Sequence, residues 1–317
     1  MNDLNEALRR LKRVEKLLVK PAYNNYGTIP PDEVIFAAKA ATVHTPHIHR
    51  KPRSIPVVGD LAHLQGSVYG KVLQWLNIRP VGVERINTDT RLIFSWFPNM
   101  FIQGTDPTEE IESFRRKVPD ASVINDTYID DDKAVIQAAF ERVFGHSLQV
   151  DPRTHSGPAV KKSRANGKHD GAIVQCPIAE PDPAYVYQTI VNNAVPGDLV
   201  EDLRIHICDY RPVFGYMKYR PLAKRFGNGN TYARLASVFD ICSGEEVASI
   251  TKFVRELGLE IGEIDALRDR TSGRLYIVDA NNTPYGPPNN IESRDGDLGI
   301  RWIADAFCRA YLDPEPE

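Results

Sequence analysis

GLEIGEIDALRDRTSGRLYIVDANNTPYGPP, residues 258–288, contains two apolar runs that are separated by a polar turn. The runs cover residues 261–267 and 275–280, and the turn at 269–273 contains Asp, Thr, Ser and Gly. Short apolar runs of this kind, bounded by turn residues, are typical of neighbouring strands. The stretch therefore predicts a β-hairpin.

Three side chains of this hairpin are candidate metal ligands. Asp279 and Asn281 are two residues apart, and because side chains alternate between the faces of a strand, they project to the same side. A five-residue loop with Arg268 opposite Arg274 brings Asp265 to that side as well, whereas a loop of four or six residues turns it away. Two carboxylates and an amide oxygen suit Mg²⁺, which keeps several waters and uses nucleotide phosphates as further ligands. We predict a divalent cation site here; the alternative is a surface hairpin with a polar turn.

The composition is that of a globular protein. The 317 residues are 42% hydrophobic and 26% charged, with a formal net charge of -3 and a pI near 6.3. This length fits one large domain or two or three closely packed domains, and the charge gives no reason to expect binding to nucleic acid or membranes. The four cysteines show no C-x-x-C spacing, so we expect reduced thiols in the cytoplasm rather than a zinc site or a disulfide framework.

The first segments carry weaker signals. Residues 1–20 have leucines at helical spacing and predict an amphipathic helix that docks onto its own domain or onto a homodimer partner, with a membrane surface as the alternative. Residues 21–56 are rich in proline and include His44, His47 and His49. A loop lining a substrate cleft is favoured over a zinc site, because Pro residues break the helical register and no acidic or cysteine ligands are nearby.

Further along, the pattern predicts alternating strands and helices. A helical segment at 60–76 and an apolar run at 91–97 indicate a small α/β unit. Residues 121–125 predict a short buried strand. Residues 134–144 predict a helix that ends at Gly145, a residue that suits the C-terminal cap.

The pattern G-L-x-x-G-E, an aspartate in the next strand, and then I-V-D-A-N-N-T-P-Y-G-P-P resembles the C-terminal metal-binding segment of ATP-grasp enzymes, a class that includes glutamate-adding, D-alanine and glutathione-type ligases. Those enzymes commonly have Glu where this chain has Asp279. The resemblance implies an α/β (α+β) fold in which two subdomains, 121–190 and 191–317, clasp a nucleotide. A smaller N-terminal α/β domain, 1–120, precedes them.

The resemblance also implies phosphate ligands. Lys133 matches the lysine at a helix start that reaches the ATP phosphates, and Lys162 matches the lysine that precedes a mobile glycine-rich loop, with Lys161 as the second choice. In this chain the loop has two separated glycines, Gly167 and Gly171, whose backbone N–H groups would hold phosphate oxygens.

The remaining implied residues surround the base, the ribose and the transferred phosphate. Gln188 and Val191 match the segment that presents backbone groups to the adenine edge, and Asp202 matches a position that could bind ribose hydroxyls. Arg220, and after it Lys218, match the cationic strand end that stabilises the transferred phosphoryl group. A guanidinium suits that role because its planar fork holds two oxygens at once.

By resemblance, the chain is an ATP-dependent ligase. It would use ATP with Mg²⁺, or Mn²⁺ in its place, to activate a small-molecule or peptide carboxylate as an acyl phosphate and join it to an amine or thiol. Two alternatives remain open at this point: an ATP-grasp kinase that phosphorylates a hydroxyl group, and a nucleotide-binding module without catalysis.

Overall fold

The computed structural model describes residues 53–87, 89–98, 108–126, 131–165, 167–227 and 229–312. The predicted N-terminal amphipathic helix and the histidine-containing loop lie outside these ranges. Within the described ranges, no helix has the length and hydropathy needed to cross a bilayer. All four cysteines are buried and none forms a disulfide.

A parallel sheet forms the first part of the described chain. Its strands are β1 (Arg53–Gly59), β2 (Ile78–Val81), β3 (Leu92–Trp96) and β4 (Ser122–Ile124), in the spatial order β2-β1-β3-β4. Helices α1 (Leu61–Gly66) and α2 (Val68–Trp75) follow β1, and α3 (Thr108–Lys117) follows β3. The two central strands are largely buried, as expected for a parallel sheet that is covered on both faces. This is the predicted small α/β unit.

A three-stranded antiparallel sheet follows, preceded by helix α4 (Lys133–Phe144). The helix begins after Asp132, whose side chain accepts a hydrogen bond from the Ala134 N–H, and ends at Gly145, which has φ 71°. Glycine adopts that left-handed conformation without steric cost. The strands are β5 (Gly157–Ser163), β6 (Ala172–Cys176) and β7 (Tyr185–Gln188), in the order β6-β5-β7.

The last part contains a six-stranded antiparallel sheet with the main order β11-β10-β9-β12-β13 and with β8 paired to β9. Its strands are β8 (Ala194–Val195), β9 (Leu199–Cys208), β10 (Arg211–Pro221), β11 (Tyr232–Ser237), β12 (Gly262–Arg268) and β13 (Leu275–Asn281). The helices of this part are α5 (Val238–Ile241), α6 (Gly244–Leu257) and α7 (Ser293–Phe307).

The two faces of this sheet have different chemistry. On one face, Leu203, Ile205 and Ile264 pack with α4 and α6 into a hydrophobic core. The other face is apolar only at one end, where Phe214 and Cys208 meet α7 and the parallel sheet. Strand alternation gives the rest of this second face polar side chains, and that polar area forms the floor of a cleft.

The β12–β13 hairpin has a different register from the one predicted. Arg268 pairs with Leu275 and not with Arg274, so the loop has six residues, 269–274, and the predicted five-residue loop is wrong. A β-bulge between Asp265 and the next residue shifts the pairing and places Asp265 opposite Asp279. Because opposite residues in an antiparallel pair share a face, the two carboxylates lie on the same side, as predicted.

The predicted fold class is confirmed: a small parallel α/β sheet precedes two antiparallel units that border one cleft. The three-stranded sheet forms one wall and the six-stranded sheet forms the other. The connection between them runs through residues 189–193.

Candidate active site

The cleft between the two antiparallel sheets has a volume of about 340 Å³. Among the described residues that line it, cationic side chains outnumber carboxylates by seven to four. These side chains are Lys133, Lys162, Lys168, Arg204, Lys218, Arg220, Arg225, Asp170, Asp202, Asp265 and Asp279. Such an excess of positive charge inside a cleft favours an anionic ligand.

Two lysines project from the wall formed by α4 and the three-stranded sheet. Lys133 is the first residue of α4 and is 8% exposed, and its Nζ donates to the Ala165 carbonyl at 3.0 Å. Lys162 lies in β5 and lines the cleft, whereas the ammonium of Lys161 sits over the Tyr185 ring, 3.9 Å from its centroid. Of the two lysines considered from the sequence, Lys162 is the one that lines the cleft.

The ammonium of Lys162 has no ion pair or hydrogen bond among the described residues. Burial lowers its pKa, and the nearby carboxylates Asp279 and Asp202 oppose that effect only partly. A cation in this environment is costly unless an anion accompanies it. Lys162 is therefore suited to bind an anionic group that enters the cleft.

The loop between β5 and β6 brings its two glycines to the cleft. Gly167 and Gly171 both line it. A Cβ atom at Gly171 would lie 2.8 Å from the Phe226 ring, so this close approach of loop and ring requires glycine. Asp170 fixes the loop to β5 by accepting a hydrogen bond from the Ser163 N–H at 3.1 Å.

The predicted adenine segment links the two sheets. Gln188 is the last residue of β7 and is 2% exposed, and its side-chain Nε2 has no hydrogen-bond partner in the described part of the chain. The Val191 carbonyl accepts a hydrogen bond from Arg225 Nη2 at 2.8 Å. Arg225 also donates to Asn193 Oδ1 at 3.0 Å. Gln188 and Val191 both line the cleft, but the Val191 carbonyl already accepts the hydrogen bond from Arg225.

Asp202 and Arg220 form an ion pair across neighbouring strands. Arg220 Nη2 lies 2.7 Å from Asp202 Oδ2, and Arg220 Nη1 donates to the Gly227 carbonyl at 2.6 Å. Burial raises the pKa of Asp202, and the charge of Arg220 opposes that rise. Asn193 Nδ2 donates to Asp202 Oδ1 at 3.0 Å. The predicted ribose-binding carboxylate is therefore held by two partners.

Asp265 is held by two cations. Arg204 binds it through two hydrogen bonds, Nε to Oδ1 at 3.0 Å and Nη2 to Oδ2 at 3.1 Å, and Lys218 Nζ donates to the same Oδ1 at 2.9 Å. Burial alone would raise the pKa of Asp265, but Arg204 and Lys218 hold it well below its usual range. No role for Arg204 was predicted, although its spacing of two residues from Asp202 would place both side chains on the same face of a strand.

Asp279 has the opposite environment although it faces Asp265. No cation among the described residues lies within ion-pairing distance of it, and burial raises its pKa to about 6, against the charge of Lys133 and with a contribution from Asp265. Among the described residues its Oδ1 accepts only a local hydrogen bond, from the Ala280 N–H at 3.0 Å. A cation bound to Asp279 would remove this imbalance.

Asn281, the third predicted metal ligand, does not line the cleft. Its Oδ1 accepts a hydrogen bond from the Thr283 N–H at 2.9 Å, which is the local pattern of an Asx turn. Its side chain is also hydrogen-bonded to Glu263, the residue opposite it in β12.

A second buried layer lies behind these carboxylates. Glu263 is 3% exposed, and its Oε1 lies 3.4 Å from Arg204 Nη1. His206 is fully buried, and its ring stacks on Phe214 with 4.7 Å between centroids. Burial, together with the charge of Arg204, lowers the pKa of His206 to about 3, so its imidazole is neutral. Sequence reasoning assigned no role to these residues.

The residues present fit a divalent cation that is bound together with phosphate. Asp279 offers a carboxylate without an ion-pair partner in the described chain, and Asp265 lies directly opposite. No described cluster of three or more His, Cys, Asp or Glu side chains could hold a metal ion by itself. One or two carboxylates with phosphate oxygens and water suffice for Mg²⁺. Asn281 would join the ligands only if its side chain turned away from Thr283.

The sequence matches no family model and no curated protein. Among solved structures, the chain is similar to D-alanine–D-alanine ligase from Bacillus anthracis complexed with ATP, with 13% identity, a TM-score of 0.49, and coverage of 83% of this chain and 97% of that one. It is also similar to the ATP-grasp ligase PsnB complexed with the precursor peptide PsnA2 and AMPPNP, with 14% identity, a TM-score of 0.48, and coverage of 82% and 99%.

The macrocyclase MdnC bound with the precursor peptide MdnA from Microcystis aeruginosa MRC gives 11% identity, a TM-score of 0.48, and coverage of 82% and 99%. The structure of the chain is thus similar to those of ATP-grasp ligases over about four-fifths of its length, at low sequence identity.

Proposed function

We propose that the chain is an ATP-dependent ligase that activates a carboxylate as an acyl phosphate and then joins it to an amine or thiol. The observation that carries this proposal is the pairing of opposite charges across the cleft. Lys162 presents a half-buried ammonium without an ion-pair partner in the described chain, and on the other wall Asp279 presents a half-buried carboxylate in the same condition. A polyphosphate with a divalent cation would satisfy both.

Each residue then has a specific task. Lys133 and Lys162 bind phosphate oxygens from one wall, and the backbone N–H groups of Gly167 and Gly171 cover them from the loop. Gln188 supplies its buried Nε2 donor to an acceptor on the base. The segment at Gln188 lies between the two sheets, where a flat base would fit.

Metal and acceptor groups belong to the opposite wall. Asp279 and Asp265 would hold Mg²⁺ or Mn²⁺, which supplies neutralisation of phosphate charge and orients the phosphoryl group. Arg220, fixed by Asp202, and Lys218 present positive charge where the substrate carboxylate oxygen attacks the γ-phosphorus and ADP leaves. The amine then attacks the acyl carbon and phosphate leaves. The protein's own contribution is positioning and charge stabilisation, so no side chain needs to form a covalent intermediate.

The cellular location and the substrate classes are part of the same proposal. The four cysteines, none in a disulfide, suit a cytoplasmic protein. We propose small-molecule or peptide carboxylates and amines as substrates.

The test has two stages. Isothermal titration calorimetry with ATP and Mg²⁺ measures binding, and pools of carboxylates with amines, and pools of alcohols, are then screened for ADP and phosphate release. Asp279→Ala is expected to abolish turnover, whereas the exposed Asp120→Ala is expected to leave it unchanged. Phosphate that is transferred to a hydroxyl group instead of released would identify the kinase alternative. Tight ATP binding without turnover on any pool would identify a non-catalytic module.

A further inference from the structure

Lys218 occupies an unusual position in the charge balance of the cleft. It is 4% exposed, it lines the cleft, and its ammonium lies 2.9 Å from Asp265 Oδ1. Arg204 already binds both oxygens of that carboxylate. Arg204 is shared with Glu263, 3.4 Å from its Nη1, whereas Lys218 has Asp265 as its one ion-pair partner among the described residues. Asp279, directly opposite Asp265, has no cation within ion-pairing distance in the described chain.

The two cations on Asp265 differ in how easily they can leave. The planar guanidinium of Arg204 donates two hydrogen bonds to Asp265, and its Nη1 lies 3.4 Å from Glu263 Oε1, so three contacts fix it in place. Lys218 makes one hydrogen bond through a compact point charge at the end of a flexible four-carbon chain. Its ammonium can move by rotation of side-chain bonds alone.

The same ammonium opposes metal binding. It lies 2.9 Å from Asp265 Oδ1, so it competes with any divalent cation for this carboxylate. A cation arriving alone must therefore displace Lys218 into a cleft that already contains an excess of positive charge. A cation that arrives with a triphosphate provides a new partner for the displaced ammonium.

We propose that Lys218 is an exchangeable counter-ion of Asp265, which holds this carboxylate in the free protein and moves to a phosphate oxygen when metal and nucleotide bind together. This inference rests on the proposed function and deepens it. Its consequence is that metal ion and nucleotide bind cooperatively, because neither alone completes the exchange of partners.

Mn²⁺ alone is the probe, and free Mn²⁺ is measured by electron paramagnetic resonance. Without nucleotide, Lys218→Met is expected to bind Mn²⁺ at least about tenfold more tightly than the wild type, because an opposite charge in contact changes cation affinity at a carboxylate by about tenfold or more. Lys218→Arg keeps the positive charge and is expected to show no gain. The control Lys161→Met removes a lysine that stacks on Tyr185 outside the cleft, and we expect no gain there either.

A non-hydrolysable ATP analogue is then added. The wild type is expected to bind Mn²⁺ more tightly with the analogue than without it, and Lys218→Met is expected to lose most of that enhancement. Lys218→Gln serves as a second neutral variant, and circular dichroism verifies that each variant is folded.

The two hypotheses fail in different ways. If Lys218→Met and Lys218→Gln bind Mn²⁺ no more tightly than the wild type while the wild type still binds Mn²⁺ with the analogue, the counter-ion role is wrong and the proposed function stands. An equal gain in Lys161→Met would also overturn the counter-ion role, because it would reflect net charge alone. If the wild type binds neither the analogue nor Mn²⁺ with it, the proposed function fails.

Discussion

Replacing Asp279 by Asn is expected to stabilise the free protein while it removes metal-dependent function. Partial burial raises the pKa of this carboxylate from 3.8 to about 6 on folding, so the folded state binds more protons than the unfolded state between these values. The free energy of unfolding therefore falls as the pH rises through this range, and the full penalty is present above about pH 6. At about 1.36 kcal/mol for each pKa unit, the penalty is about 3 kcal/mol.

The isosteric Asp279→Asn variant has no charge to bury, so it avoids this penalty. We expect its free energy of unfolding to exceed that of the wild type by up to about 3 kcal/mol at pH 7.5 and to equal it near pH 4, where the wild-type carboxyl is protonated. Urea unfolding followed by tryptophan fluorescence at both pH values measures the difference. Asp120→Asn, a change at an exposed turn residue, is the matched control and is expected to show no pH-dependent difference.

Ligand addition should reverse the order of stability. With Mg²⁺ and a non-hydrolysable ATP analogue at about 1,000 times the dissociation constant, the wild type gains about 4.1 kcal/mol. Asp279→Asn binds the pair poorly and gains much less. A variant that is no more stable than the wild type at pH 7.5, or equally stabilised at both pH values, would refute the account of Asp279 as an uncompensated carboxylate.

Two further substitutions test the other buried charges. Lys162→Met is expected to raise the free energy of unfolding at neutral pH, because burial disfavours the charged ammonium. It is also expected to weaken ATP binding about 10- to 100-fold in calorimetry, since hydrogen bonds to charged groups contribute about 1.5–3 kcal/mol. Unchanged ATP affinity would contradict a phosphate-binding role. His206→Phe keeps an aromatic ring against Phe214. The unfolded histidine binds a proton near pH 6.5 and the folded one only near pH 3, so the wild type loses stability as the pH falls between these values. Between pH 7 and pH 3 the free energy of unfolding of the variant is expected to rise by up to about 5 kcal/mol relative to that of the wild type. A stability difference that does not change with pH in urea titrations would contradict this.

The hairpin shows which structural features could be predicted from the sequence. Alternation along β13 correctly placed Asp279 and Asn281 on one face, because the period of two is a property of local backbone geometry. The register between the strands was wrong by one residue at the loop. The bulge that restores the facing pair depends on packing of the whole sheet, and no residue at that position identifies it.

The site shows the same division between local and distant interactions. The hydrogen bond from the Thr283 N–H to Asn281 Oδ1 spans two residues, and its Asn-x-Thr pattern could have been read from the sequence. The bond between Arg204 and Asp265 joins residues that are 61 positions apart. Strand alternation gives the face of each side chain, but only the order β9-β12 makes them neighbours.

Charge balance across the cleft explains why a metal ion and a polyphosphate should bind as a pair. Asp265 has two cationic partners, whereas Asp279, directly opposite, has none within ion-pairing distance in the described chain. A cation alone would relieve Asp279 but would face Lys162 and the displaced ammonium of Lys218. A polyphosphate alone would relieve the lysines but would meet the carboxylate of Asp279. Together they leave each of these groups beside an opposite charge, so the electrostatics of this cleft favour the combined ligand over either component.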